Sequence, residues 1–151
     1  MDLFTNTLLI YCSTITKNGS PHVQPTIFIN ESKKCSITFL ANRQSLMVKN
    51  LYQNRKTSLT LDKIHPFNPF LNTGIMIEAL SHINDSKDVI EESLIDFERK
   101  YTSEVISKIL GIDIINQCVK IRSFPQKIIY WRGPRFHRFN CKKRKSINTL
   151  R

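Results

Sequence analysis

The sequence predicts a mostly β domain: a small antiparallel barrel with flanking helices, one short and one longer. Three observations carry this. Five runs rich in β-branched and aromatic residues follow one another between residues 8 and 83. Most neighbouring runs are joined by tight turns, too short for the crossover that a parallel pair needs. Only two segments have helical spacing, so the alternation that builds a doubly wound parallel sheet is missing.

The elements follow in order. Residues 8–16 form a first strand. Lys17-Asn18-Gly19-Ser20 is a hairpin turn, because Asn-Gly supplies the positive φ angles of a tight turn. The return strand covers residues 22–29. Pro25 lies inside it and donates no ladder hydrogen bond, so the strand is at an edge, or bulged, at that point. A polar turn at residues 30–34 leads to a third strand at 36–40. A short helix then spans residues 45–52, with Ser45 as N-cap. Residues 56–61 are a fourth strand, residues 65–70 a loop with two prolines, and residues 74–83 a fifth strand. Asp85 or Ser86 caps the longer helix. Its apolar residues Val89, Ile90, Leu94, Phe97, Tyr101, Val105 and Ile109 recur mostly at three- and four-residue steps, and Gly111 is its C-cap. Residues 119–121 and 127–131 are one last strand broken near Pro125, or two strands.

At 151 residues the chain fits one domain with a real core. The expected division is a folded domain over residues 1–136 and a basic tail over 137–151. The net charge of +11 is uneven. Eight Lys or Arg and no acid fall between Arg132 and Arg151, leaving 15 bases against 12 acids elsewhere. Such a tail suits nucleic acid, an anionic surface or an acidic ligand, or is a solvated, frayed terminus. No apolar run reaches the ~18–20 residues of a membrane-spanning helix. No basic segment precedes the first apolar run, so no secretory signal is expected. Cys12, Cys35, Cys118 and Cys141 are widely spaced and contain no Cys-x-x-Cys pair. They read as reduced buried or surface thiols of a cytoplasmic protein, not as a disulfide framework or a zinc site.

The stretch from Ala41 to Asn54 organises the chain. A strand running into a helix start presents backbone N–H groups, and Arg43 and Lys49 flank this one. That arrangement is an anion site for a phosphate-bearing cofactor, or an ordinary turn with solvated cations. Elsewhere no nucleophile elbow, P-loop or Gly-x-Gly-x-x-Gly occurs. His22, His65, His82 and His137 have no metal-ligand spacing and read as surface or loop residues. No paired carboxylates stand out. An enzyme built this way would rely on a bound cofactor for its chemistry.

Three motifs add a resemblance. Asn18-Gly19-Ser20-Pro21-His22-Val23-Gln24-Pro25 resembles the Gly-x-Pro-His-x-x-Pro run of the pyridoxamine 5′-phosphate oxidase-like, FMN-binding split-barrel family. Val48-Lys49-Asn50-Leu51 with Thr57-Ser58-Leu59-Thr60-Leu61 is similar to its Arg-Asn-Leu helix and following strand. Pro125-Gln126-Lys127-Ile128-Ile129-Tyr130-Trp131 resembles its closing strand. The matches keep their order between residues 8 and 136.

The resemblance implies a homodimer of split β-barrels, with FMN or a deazaflavin coenzyme in a groove at the dimer interface. Gln24, Pro25, Thr26 and Ile27 would line the isoalloxazine ring. Ala41, Asn42, Arg43 and Ser45 would approach the ribityl chain and phosphate, with Lys49 as a substitute charge. Trp131 and Arg132 would reach the cofactor from the partner subunit, unless Trp131 is simply core. True pyridoxamine phosphate oxidases carry Ser-Arg-Lys where this chain has Ser45-Leu46-Met47, and basic residues on the second strand where Gln24 to Phe28 has none. The implied activity is therefore hydride or electron transfer to another small substrate. A haem-binding role also occurs on similar barrels. The reading from a different class is a non-enzymatic module that binds nucleic acid through Arg135-Phe136-His137-Arg138-Phe139 and Lys142-Lys143-Arg144-Lys145.

Overall fold

The computed structural model describes residues 3–141. The elements are α1 (Leu3–Asn6), β1 (Leu9–Ile15), β2 (Pro21–Glu31), β3 (Ser36–Asn42), α2 (Leu46–Gln53), β4 (Lys56–Lys63), β5 (Thr73–Asn84), α3 (Lys87–Glu98), α4 (Ser103–Leu110), α5 (Ile114–Gln117), β6 (Cys118–Arg132) and β7 (Arg135–Asn140). The strands form one antiparallel sheet in the order β3-β2-β1-β4-β5-β6-β7, and β3 also pairs with β6. That last pairing closes six strands into a barrel and leaves β7 outside it.

Two strands change partners along their length, and this splits the barrel. β2 pairs with β1 from Pro21 to Ile27 and with β3 only from Phe28 to Glu31. β6 pairs with β3 up to Ser123 and with β7 from Lys127. Where β1 ends, Tyr101 takes over its ladder. Its hydroxyl donates to the Leu8 or Phe28 carbonyl, each 2.8 Å away, and accepts from Phe28 N–H at 3.0 Å. The Phe28 amide therefore faces the β1 side. Alternation turns the Pro25 nitrogen the other way, toward an edge where β2 has no strand partner. The missing N–H costs no ladder bond there, so Pro25 lies on a local edge as its sequence requires.

Two apolar layers hold the fold. Ile10, Cys12, Phe28, Phe39, Leu59 and Ile77 fill the barrel interior, and α2 closes it with Met47, Val48 and Leu51. Outside, α3 and α4 cover one sector: Ile90, Phe97, Ile106 and Leu110 pack on Ile27, Leu40 and Cys118. The single long helix expected over residues 86–110 is two helices. Tyr101 is drawn to the β1–β2 junction, and the Thr102 hydroxyl caps a new start by accepting from Val105 N–H at 3.4 Å. The last strand is continuous through Pro125, where the β5–β6 register shifts in a bulge. Residues 137–140, expected at the start of the tail, belong to β7; residues 142–151 lie outside the described residues.

One charged cluster fixes the β2–β3 corner. Glu31 accepts from Thr38 at 2.8 Å, Ser36 at 3.2 Å, Arg122 at 3.1 Å and Lys34 at 3.2 Å, with Lys120 at 3.7 Å. Burial alone would raise its pKa. Hydrogen bonds from Thr38 and Lys34 and the charges of Lys120 and Arg122 outweigh burial and push it down to about 2. Burial pulls the Lys120 ammonium below its ordinary range even beside that carboxylate.

Candidate functional site

The turn between β3 and α2 is built by its own side chains. Asn42 Oδ1 accepts from Gln44 N–H at 2.8 Å, and the Asn42 carbonyl accepts from Ser45 N–H at 2.9 Å. Ser45 is the N-cap, its hydroxyl accepting from Val48 N–H at 3.3 Å. Arg43 N–H donates to the Gln117 carbonyl at 2.7 Å. The N–H groups of residues 43, 44, 45 and 48 are thus engaged inside the fold, and the anion-binding capacity of this corner rests mainly on side-chain charge. Arg43 supplies it half-exposed, with Asp85 at 3.4 Å, and Lys49 supplies it exposed on α2.

The other expected residues divide by strand parity. Gln24 and Thr26 pair with Cys12 and Ile10 of the barrel interior, so they lie on the inner face of β2. Thr26 is buried, with its hydroxyl 3.4 Å from the Ile27 carbonyl. Pro25 and Ile27 lie on the outer face, and Ile27 is buried beneath the helices. Ala41 belongs to the interior core. β2 and β3 diverge beyond Phe28 and Phe39, so residues 24–26 and 41–43 flank the two sides of the split.

Sequence reasoning missed His22. It sits on β2 opposite Thr14, and its Nδ1 is buried without a hydrogen-bond partner among the described residues. A buried ring nitrogen in that state costs ~1–3 kcal/mol and is relieved by a ligand donor or acceptor. The Pro-His pair at the start of β2 was the only available signal.

Trp131 and Arg132 lie far away within one chain. Ala41 pairs with Val119 at the start of β6, and twelve residues, or ~40 Å of strand, separate that point from Trp131. One chain does not bring these groups together. Trp131 lies on the outer face, its ring against Gly74 of β5; a Cβ built on Gly74 would lie 2.0 Å from the ring. Gly74→Ala should therefore expel the ring and shift the emission of the chain's single tryptophan to the red while the fold persists. Unchanged emission would mean the ring is not seated there.

Among the described residues, α3 and α4 cover a different sector from the outer face around Trp131. One cross-strand row reads Pro25, Tyr11, Thr60, Met76, Ile129 and Arg138. Exposed Leu9, Ile15, Val23, Leu80 and Phe136 extend the apolar surface, and a groove of about 570 Å³ runs past Ser13, Ser58 and Gln126. Such a broad apolar sheet face is the kind that a partner covers. A larger cleft, about 890 Å³, lies elsewhere, between Glu31 and Arg99.

The chemistry available from side chains is sparse. Among the described residues no cluster of His, Cys, Asp and Glu could hold a metal ion. Burial pushes the Cys12 thiol up to about 12 and the Cys118 thiol up to about 11, so neither is a nucleophile. No helix among them is long and apolar enough to cross a membrane.

No protein-family model and no curated protein matches the chain. Solved structures do. A Clostridium acetobutylicum protein related to general stress protein 26, of the pyridoxinephosphate oxidase family, shares 18% identity over 91% of this chain and 89% of its own, with a TM-score of 0.67. An F420 reductase shares 18% identity over 83% of this chain and 92% of its own, at 0.61. A heme-binding protein from Mycobacterium smegmatis shares 11% identity over 91% of this chain at 0.69, but the match spans only 55% of that protein. The chain has the split-barrel fold of these proteins, and the fold implied by its three motifs is the fold observed.

Proposed function

We propose that this chain is a flavin-binding split-barrel protein that acts as a homodimer and transfers a hydride or electron to a small substrate. The observation that carries the reading is the split itself. An unpaired β2 edge with the orphaned His22 nitrogen on one side of it, and a turn that carries Arg43 and Lys49 on the other, support the reading, on a fold shared with an F420 reductase and a pyridoxinephosphate oxidase-family protein.

The residues present fit the group. The β2 edge from Val23 to Pro25 offers backbone groups to the polar rim of a heteroaromatic ring. Arg43 and Lys49 offer cations to its phosphate. When bound, FMN supplies a ring that accepts and returns a hydride or two electrons. The chain's own part is to position that ring, exclude water with Pro25, Tyr11 and Met76, and neutralise the phosphate through Arg43. Trp131 and Arg132 of a second copy would complete the groove if two chains meet across the open sheet face. Protein-borne acid–base groups are then unnecessary, in keeping with the side chains described.

A deazaflavin coenzyme is the alternative occupant, its acidic tail drawn by Lys49, Arg55 and Lys56. Titration with FMN and with the deazaflavin coenzyme tests the reading. Arg43→Ala should weaken binding ~10-fold, the loss of one charge-assisted contact. Equal affinity in the variant would remove Arg43 from the site.

A second reading follows from β7, where Arg135, Phe136, Arg138 and Phe139 are all exposed. This ribbon is suited to single-stranded nucleic acid, with cations on phosphates and phenylalanines on bases. Strong dependence on salt, lost in Arg135→Ala/Arg138→Ala, supports it; binding indifferent to salt opposes it.

A further inference from the structure

We propose that Cys35 and Cys141 form a thiol pair that closes to a disulfide and ties the start of β3 to the end of β7. The register places them together. β3 and β7 occupy the same edge of β6 in succession, with Ile37 opposite Ser123 and Asn140 opposite Lys127. Cys35 immediately precedes β3, at the end of that strand which pairs with Ser123 and faces the bulge at Pro125. Cys141 N–H donates to the Gln126 carbonyl at 2.8 Å. The two cysteines thus approach the same short stretch of the β6 edge, between Ser123 and Gln126, from its two ends. A disulfide needs Cα atoms roughly 4.4–6.8 Å apart.

Phe139 pairs with inward-facing Ile128, so Cys141, two residues on, lies on the barrel-mouth side of β7. Both cysteines line one cleft of about 530 Å³ with Ile75, Ile77, Phe124 and Ile128 at the barrel mouth. Cys35 is exposed and Cys141 half-buried, so an oxidant can reach the pair, whereas Cys12 and Cys118 are shut in the core. Cys35 holds φ at 49°, the left-handed turn that ends the short 3-10 segment at Ser32–Lys34 and frees its side chain from the β3 ladder.

The chemistry balances with a peroxide as oxidant. The Cys35 thiolate attacks the O–O bond of hydrogen peroxide, giving a sulfenic acid and one water. The Cys141 sulfur then attacks that sulfur, the S–O bond breaks, and a second water leaves. Two thiols and one peroxide become one disulfide and two waters. A small thiol reductant reverses the step by exchange. The bridge would anchor β7, which among the described strands pairs with β6 alone, to the body of the barrel.

The test is treatment of the full chain with stoichiometric hydrogen peroxide, followed by non-reducing digestion and mass spectrometry. The expected product is a single chain lighter by two hydrogens, with a linked peptide pair containing Cys35 and Cys141. The link should be absent from Cys35→Ser and from Cys141→Ser, and present in Cys12→Ala. The bridge closes a loop of over a hundred residues, so the oxidised chain should melt ~10 °C above the reduced one, a gain that neither serine variant shows. Separate oxidation of the two sulfurs, a link between two chains, or a bridged chain that melts no higher than the reduced one would overturn the proposal.

Discussion

Glu31→Ala is expected to destabilise the domain by ~3–5 kcal/mol, the cost of stripping the partner from a buried charge. Lys120 is only 7% exposed and would lose the carboxylate that faces it. Ser36, Thr38 and Arg122 would lose an acceptor at the same moment. For a domain of this size that is a fall in Tm of ~10 °C or more. Glu31→Gln keeps an acceptor for Thr38 and should cost about half as much. The same residue sets an acid limit. Its carboxyl is held at about 2 in the fold against an ordinary 4.5, so the unfolded chain binds the proton more tightly. The stabilisation is complete above pH ~4.5 and is lost as the pH falls toward ~2, a swing of ~3 kcal/mol. Thermal melts between pH 6 and pH 2 check this, and Glu31→Gln should flatten the acid limb. A parallel fall in both proteins would place the acid sensitivity elsewhere.

Tyr11→Asp is expected to separate the proposed dimer without unfolding either chain. Tyr11 is half-exposed on the outer face of β1, midway along the row from Pro25 to Ile129, and contributes nothing to the barrel interior. An unpaired carboxylate at the centre of a covered sheet face costs ~4 kcal/mol, or ~10³-fold in Kd. Sedimentation should show a wild-type dimer and a variant monomer that keeps the wild-type circular dichroism and a cooperative melt, a few degrees lower for want of the partner. A wild-type monomer, or a variant that stays dimeric, would contradict the assignment of this face.

What was legible in the sequence was local chemistry. Asn18-Gly19 declared a hairpin because Gly19 needs its φ of 81°, and Ser45 declared a helix start because its hydroxyl meets Val48 N–H. Pro25 marked an edge because proline has no N–H to offer. What was hidden depended on distant partners. The apolar spacing from Val89 to Ile109 runs on without interruption, and only the pull of Tyr101 toward Leu8 and Phe28 breaks it into two helices. β7 escaped because Arg135 to Asn140 shows no buried face, being exposed at every position. The site followed the same division. Residues 41–45 declared a strand-to-helix turn with a cation, but the engagement of its N–H groups by the Asn42 side chain and the Gln117 carbonyl is tertiary. So is the buried, unpartnered nitrogen of His22.

The most direct test of flavin binding is the visible absorption spectrum of the concentrated protein after incubation with FMN, and separately with the deazaflavin coenzyme, once free cofactor is removed. The split-barrel assignment of function predicts a retained flavin or deazaflavin band, at close to one cofactor per chain and weaker in Arg43→Ala. A folded protein that remains colourless with both would contradict it.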